Sequence, residues 1–166
     1  SREREREYTY WSLEAKPHTD SYEETVETVS WLLRDAVRRQ LVSDVPVCSF
    51  LSGGIDSSVV TAIASRQLES EGLTLNTFSF DFIHNDTCFQ SNAFQPTRDR
   101  PYVDQVLALY PLHHTYLECD EATLADLLGD AVRMKDLPGM TDVDASLLYF
   151  CGLVKQHNKV ALTGEC

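Results

Sequence analysis

A nearly continuous apolar run, VPVCSFL at residues 45–51, leads directly into two glycines and then into the string IDSS. A strand that is apolar at successive positions is typical of a parallel sheet covered by helices on both faces. The glycines predict a tight turn, and residues 56–70 after it carry apolar side chains at helical spacing. The stretch therefore predicts a strand, a turn and a helix of an α/β fold.

The same alternation of strand and helix continues along the chain. A capping box, Ser21 with Glu24, predicts an amphipathic helix over residues 21–40. The later elements are predicted as a strand at 73–82, a helix at 101–110, a strand at 113–118, a helix at 121–135 capped by Asp120, a helix at 145–156 capped by Asp144, and a strand at 159–166. Strands alternating with helices predict a doubly wound parallel sheet with helices on both faces.

Two segments lie outside this core. Residues 1–20 are predicted to be an N-terminal extension or linker, and residues 21–166 to be one domain. Residues 83–100 are polar and irregular, which predicts either a functional loop or partial disorder. Because a core strand meets the last residue, we expect the domain to be incomplete at its C-terminus.

Charge and cysteine content limit the classes of function. With 26 acidic and 14 basic residues the net charge is −12, a field that repels nucleic acid and anionic membranes. Five cysteines without a C-x-x-C pair predict neither a disulfide framework nor a zinc site, and they fit a reducing cytoplasm. No apolar run is long enough to cross a bilayer. We expect a cytoplasmic protein with no nucleic-acid or membrane partner.

The glycine turn has the composition of an anion site. In a parallel sheet, the turn after a strand collects backbone N–H groups and the positive end of a helix dipole. Gly53 and Gly54 would permit positive φ and a close approach of phosphate, and Asp56 would hold a Mg²⁺ bridging to it. Further donors are the hydroxyls of Ser52, Ser57 and Ser58. A ligand-free turn capped by Asp56 or Ser57 remains an alternative, because neither the Walker A nor the dinucleotide-binding spacing is present.

Compared with known families, SGGIDSS resembles the S-G-G-x-D-S signature of the ATP pyrophosphatase (PP-loop) enzymes. The wider VSDVPVCSFLSGGIDSS is similar to the glutamine-hydrolysing asparagine synthetase branch, and the likeness continues through TFSFDF, the HH after Leu112 and VALTGE. It covers about residues 22–166. The resemblance implies an adenine nucleotide alpha hydrolase-like fold and an ATP-dependent carbon–nitrogen ligase. Such an enzyme adenylates the side-chain carboxylate of aspartate, amidates it with ammonia from glutamine, and releases AMP and pyrophosphate.

The resemblance also implies roles for individual residues. Its ATP and pyrophosphate site would consist of Leu51, Ser52, Gly53, Gly54, Asp56, Ser57, Ser58, Phe80, Thr163 and Gly164. The implied catalytic residues are Asp56, which would hold Mg²⁺ with a further acid missing from this chain, and Glu165, which would accept a proton as ammonia attacks. A solvated glutamate near the chain end is the alternative for Glu165. Thr163 stands where the family usually has serine and keeps the hydroxyl.

The implied partners are ATP, aspartate and ammonia from a glutaminase domain that this chain lacks, so we expect the chain alone to be inactive; a homodimer is left open. Two other functions remain. One is another amide-forming PP-loop ligase similar to β-lactam synthetase, and the other is a nucleotide-binding module without catalysis. Two residue pairs are interpreted as structural. His113 and His114 lie on opposite faces of a strand, and a place for one of them in the lining of the site is the alternative. Asp142 and Asp144 are assigned to a loop and a helix cap, with Mg²⁺ binding by this D-x-D as the alternative.

Overall fold

Capping and turn residues set the ends of several helices. The amide of Glu24 donates to Ser21 Oγ at 3.3 Å, and the amide of Ser21 donates to Glu24 Oε2 at 2.9 Å. Asp120 Oδ1 accepts a hydrogen bond from the amide of Thr123 at 2.7 Å. Each of these bonds satisfies an N–H group that the first turn of a helix leaves without an intrahelical partner. The caps predicted at Ser21 and Asp120 are confirmed.

The computed structural model describes residues 6–93, 95–137 and 139–164, of which 141 and 142 are described by backbone alone. The strands are β1 (Val47–Phe50), β2 (Leu75–Phe82), β3 (Leu112–Cys119) and β4 (Val160–Leu162). The helices are α1 (Tyr22–Gln40), α2 (Ile55–Ser70), α3 (Asn85–Cys88), α4 (Arg100–Leu109), α5 (Glu121–Lys135) and α6 (Thr141–Val154).

The four strands form one parallel sheet in the order β3-β2-β1-β4. The register places Ser49 of β1 beside Thr77 of β2 and Leu162 of β4. The chain runs outward from β1 to β3 and returns to place β4 on the other side of β1. This reversal makes a topological switch point, and the carboxyl edge there is where open α/β sheets bind ligands. The predicted doubly wound parallel sheet is confirmed.

Two buried clusters cover opposite faces of this sheet. One joins α1 and α2 to the strands through Val37, Ala64, Leu75 and Leu162. The other joins α6 to the strands through Cys48, Phe78, Phe150 and Val154. Because side chains alternate along a strand, Leu75 and Phe78 face opposite ways. The prediction of helices on both faces is confirmed.

The start of α6 differs from the sequence prediction. Asp144 lies in the first turn of this helix, which begins at Thr141 after an N-cap at Met140. Its carboxylate accepts a hydrogen bond from Lys135 Nζ of α5 at 2.5 Å, and its side chain is only 7% exposed. The prediction that Asp144 caps the helix is therefore wrong, because a tertiary ion pair holds this carboxylate.

The connecting segments contain little regular structure. Residues 6–20 form neither helix nor strand and are exposed along their whole length. In the part of residues 83–99 that the structure describes, α3 is the one regular element. Within the described ranges, no helix is both long enough and apolar enough to cross a membrane.

Candidate functional site

The turn between β1 and α2 requires glycine at one position. Gly53 has a φ of 81°, in the left-handed region that residues with a Cβ avoid. Gly54 is the N-cap of α2 with a φ of −67°, which any residue can adopt. The expected positive φ is therefore confirmed for Gly53 and wrong for Gly54.

Gly53 is also enclosed by the first turn of α4. A Cβ at this position would lie 2.9 Å from the carbonyl oxygen of Asp99, 2.9 Å from Tyr102 Cβ and 3.1 Å from the amide nitrogen of Val103. At Gly54 the same atom would meet only Ser52 Oγ, at 3.5 Å. The turn thus rests against α4 at Gly53 and is open at Gly54.

Ser57 holds the turn in shape through its buried hydroxyl. Its Oγ accepts a hydrogen bond from the Ser52 amide at 3.3 Å and lies 3.0 Å from Ser52 Oγ. It donates to the Gly54 carbonyl oxygen at 3.2 Å. One donated bond and two accepted bonds use the full capacity of a hydroxyl. In this conformation the Ser57 side chain organises the turn, whereas Ser52 is exposed and Ser58 half-buried.

The segment after β4 lies directly over the start of α2. A Cβ at Gly164 would be 2.5 Å from the amide nitrogen of Ser57 and 2.8 Å from the carbonyl carbon of Asp56. Thr163, immediately before it, is exposed. The two chain segments predicted to share a nucleotide therefore meet at the switch point. Glu165, the predicted base, lies outside the described residues.

A cavity of about 320 Å³ opens beside the turn, between the carboxyl ends of the strands and α6. Three of the predicted site residues, Leu51, Ser52 and Phe80, line it together. Leu51 is 1% exposed, with its amide donating to the Phe78 carbonyl oxygen and its own carbonyl oxygen accepting from Ser79 Oγ. Its backbone polar groups are thus satisfied by β2, which leaves the side chain as part of an apolar wall.

Aromatic rings form much of that wall. The Phe50 and Phe150 ring centroids are 4.6 Å apart in an edge-to-face arrangement, and Phe80 lies 6.1 Å from Phe150 and 5.1 Å from Phe82. Edge-to-face rings at these separations attract one another beyond their buried area. This side of the cavity is therefore an apolar, aromatic surface.

The end of the cavity at the start of α4 is polar, and sequence reasoning missed it. Asp81, Asp99 and Arg100 line this end. Burial raises the pKa of the Asp99 carboxyl, and the neighbouring Asp81 raises it further. The signal in the sequence was an acid at the end of a predicted strand, TFSFDF, followed by the string RDRP within the irregular segment. Because TFSFDF and RDRP are separated along the chain, the sequence alone did not indicate that their charged residues lie close together.

The described residues offer little for a metal beyond Asp56. Within residues 6–93, 95–137 and 139–164, no three His, Cys, Asp or Glu side chains gather as metal ligands. Asp56 is exposed in the first turn of α2. Mg²⁺ commonly binds to one or two carboxylates together with substrate phosphates, so a single carboxylate beside an anion site fits this ion.

Two other candidates are structural in character. His114 Nδ1 lies 2.9 Å from Thr77 Oγ1, and its ring stacks edge-on against Tyr116. Burial lowers the pKa of this imidazole. Cys48 is fully buried in the core, and desolvation raises the pKa of its thiol to about 11. The surroundings of His114 agree with the interpretation of this residue as structural, and Cys48 belongs to the core.

Residues 28–166 match a family model described as Asparagine synthase. The chain is 49% identical over 160 residues to asparagine synthetase [glutamine-hydrolyzing] 3 of Bacillus subtilis, covering 96% of this chain and 26% of that protein. It is 31% identical to amidase chyE of Penicillium rubens, covering 98% of this chain and 25% of that protein. The chain thus spans about a quarter of the length of these relatives. Superposition on NAD⁺ synthetase of Burkholderia pseudomallei gives a TM-score of 0.47 at 15% identity, over 89% of this chain and 64% of the other.

Proposed function

Because the chain belongs to the asparagine synthase family, we propose that it forms the ATP-binding part of a glutamine-hydrolysing asparagine synthetase. In this reaction the side-chain carboxylate of aspartate attacks the α-phosphate of ATP, and pyrophosphate leaves. Ammonia, released from glutamine by a glutaminase domain, then attacks the acyl adenylate and displaces AMP. The observation that carries the proposal is the meeting of the SGGIDSS turn with Gly164 at the switch point of the sheet.

The triphosphate would lie against the N-terminus of α2. Gly54 caps this helix without a side-chain hydrogen bond, so the first amides of the helix remain directed at a ligand. The exposed hydroxyl of Ser52 and the half-buried Ser58 add donors at the same place. Gly54 carries no side chain and a Cβ there would meet only Ser52 Oγ, at 3.5 Å, which lets phosphate approach the backbone closely at this position. Ser57 would act by holding the turn in this shape.

The adenine and ribose would occupy the apolar cavity. Leu51 and Phe80 would contact the base, and the edge of β4 at Thr163 and Gly164 would contact the sugar. Binding the base in a slot and the phosphates on a helix end fixes the α-phosphorus in one position, and such alignment supplies a large part of catalysis.

Asp56 is the residue proposed to hold Mg²⁺, which when bound neutralises charge on the departing pyrophosphate. Glu165 is proposed as the group that takes a proton from attacking ammonia, which requires a carboxylate within hydrogen-bond reach of the nitrogen. We also propose a cytoplasmic location, because five cysteines without a C-x-x-C pair are typical of a reducing compartment.

A second candidate function is amide formation on an acid other than aspartate. The likeness to a relative named as an amidase favours keeping this candidate, because the names of the two relatives give different activities. The described residues around the cavity would recognise the nucleotide in either case. A nucleotide-binding module without catalysis is the third candidate.

Exchange of labelled pyrophosphate into ATP by the full-length protein separates these candidates. Exchange that requires aspartate supports asparagine synthesis, exchange with a different acid supports the second candidate, and ATP binding without exchange supports the third. Asp56→Asn should abolish exchange while leaving the circular dichroism spectrum unchanged. Asp126→Asn is the matched control, because Asp126 is an exposed acid on α5 away from the turn. Full exchange by the Asp56 variant would contradict its role.

A further inference from the structure

Arg100 connects three elements at the polar end of the cavity. It is the first residue of α4, and its Nη1 lies 3.0 Å from Glu118 Oε1 of β3 and 3.7 Å from Asp81 Oδ2 of β2. The guanidinium carbon stands 4.0 Å from the ring centroid of Tyr116, a stacked cation–π contact. The hydrogen bond to Glu118 raises the pKa of the guanidinium, so this cation is permanent.

The two acids that Arg100 contacts are direct neighbours across the sheet. Asp81 and Glu118 are register partners on β2 and β3, so their side chains leave the sheet on the same face. Like charges at paired positions repel each other. Asp81 is 15% exposed and accepts hydrogen bonds from the Phe82 amide and from Asn85 Nδ2, which hold its side chain in place. Arg100 therefore offsets a fixed pair of negative charges.

The carboxylates at the polar end of the cavity lie near the place where the triphosphate of ATP is proposed to bind. Asp81 and Asp99 line the same cavity as Ser52, which belongs to the phosphate turn. The chain as a whole carries a net charge of −12. Among the lining residues that the structure describes, Arg100 is the one with a positive charge. Without it, an incoming triphosphate would meet the acids unscreened.

Arg100 also belongs to the first turn of α4, which packs against the glycine turn between β1 and α2. Its neighbours in the first turn of α4, Asp99 and Tyr102, are the groups that a Cβ on Gly53 would strike. The ion pairs to β2 and β3 therefore anchor the surface against which Gly53 rests. Arg100 thus helps to connect α4 to β3, together with the hydrogen bond that Tyr116 Oη of β3 donates to Asp104 Oδ1 of α4 at 2.7 Å.

We propose that Arg100 is a positioning residue for the nucleotide: it neutralises Asp81 and Glu118 beside the cavity, so that the triphosphate can bind to the turn that packs against the first turn of α4. This inference rests on the proposed binding of ATP at the neighbouring turn. Arg100 is expected to affect KM for ATP and to leave kcat of the chemical step nearly unchanged. Charge, more than the shape of the side chain, is the property that matters.

The test compares KM for ATP and kcat of pyrophosphate exchange in the full-length protein and four variants. Arg100→Gln should raise KM for ATP by about tenfold with a kcat change of less than about threefold, and Arg100→Lys by about twofold. Glu118→Gln breaks the same ion pair but removes a negative charge, so its KM should stay at or below the wild-type value. Arg133→Gln, which removes an exposed cation on α5, controls for net charge.

Two further measurements distinguish the effect of the Arg100 charge on ATP binding from an effect of this side chain on the stability of the fold. Adding Glu118→Gln to Arg100→Gln should restore at least half of the lost affinity, because it removes one of the two unpaired acids. The ratio of KM between Arg100→Gln and wild type should shrink between 0.1 and 1 M salt, as the Debye length falls from about 10 to about 3 Å. If Glu118→Gln raises KM as much as Arg100→Gln does, the ion pair serves only the fold and the inference is overturned.

The wild-type protein distinguishes failure of this inference from failure of the proposed function. Normal exchange in the wild type with an unchanged KM in Arg100→Gln would overturn the role of Arg100 alone. Neither ATP binding nor exchange in the wild type would overturn both. A rise in KM that salt and the double variant reverse supports the role in neutralising charge.

Discussion

Gly164 lies so close to Ser57 that a Cβ on Gly164 would stand 2.5 Å from the Ser57 amide nitrogen. The two residues are distant along the chain and meet because β4 lies beside β1 in the sheet. No real Cβ approaches a backbone nitrogen this closely, so the contact requires glycine. It fixes the segment after β4 against the start of α2, where the nucleotide is proposed to bind.

Gly164→Ala should therefore push the two segments apart. We expect a loss of about 1–3 kcal/mol in the free energy of unfolding and an ATP affinity reduced by at least about tenfold. Gly152→Ala is the matched control, because a Cβ there meets nothing within 4 Å on α6, where alanine favours the helix. Chemical denaturation and calorimetric titration with ATP measure both effects. Wild-type affinity in Gly164→Ala would contradict the close approach.

Gly53→Ala combines two costs, and its neighbours allow them to be separated. The substitution strains a φ of 81° and places a methyl group 2.9 Å from Asp99 O and Tyr102 Cβ. Gly72 has a similar φ of 76° with open space around it, so Gly72→Ala reports the backbone cost alone, about 1 kcal/mol. We expect Gly53→Ala to cost clearly more in a urea titration, and Gly54→Ala to cost least. Equal losses at positions 53 and 72 would show that α4 does not confine the turn.

Ser57→Ala removes the three hydrogen bonds that organise the turn. The Ser52 amide and the Gly54 carbonyl would each lose one hydrogen bond, and because both residues are exposed we expect about 0.5–1.5 kcal/mol for each bond. ATP affinity should fall together with stability, since the turn would lose its shape. Ser58→Ala serves as the control and should cost well under half as much. A Ser57 variant with unchanged thermal unfolding would argue against this network.

His114 should make stability depend on pH below neutrality. Burial holds its folded-state pKa below the ordinary value of 6.5, so the unfolded chain binds the proton more readily. Stability from this group is complete above pH 6.5 and is lost as pH falls below that value. His114→Asn should flatten the fall in stability between pH 7 and 5, whereas His113→Asn, at an exposed position, should leave the slope unchanged. If stability falls with pH at the same slope in His114→Asn and in wild type, the predicted role of His114 is refuted.

Local signals in the sequence predicted much of the fold and only part of the site. The caps at Ser21 and Asp120 and the glycine turn at Gly53 depend on a few neighbouring residues, so the sequence alone predicted them. The cap assigned to Asp144 failed because Lys135, on another helix, pairs with that carboxylate. A local pattern carries no information about such tertiary pairs.

The polar end of the cavity shows the same limit. Arg100 and Glu118 are 18 residues apart and come together only because α4 returns the chain to β3. The contact of Gly53 with α4 and of Gly164 with Ser57 likewise depends on the order of the strands. The resemblance indicated which residues belong to the site, but the mutual support among its segments required the packed structure.

Hydrogen exchange of backbone amides with and without ATP and Mg²⁺ tests the shared nucleotide site most directly. ATP bound across the switch point should slow amide exchange in residues 52–58 and in residues 161–164 together. The amides of α5, which is not part of the proposed site, should exchange at an unchanged rate. Protection that spreads evenly over the chain, or that leaves residues 52–58 unaffected at saturating ATP, would contradict a nucleotide held between the turn after β1 and the segment after β4.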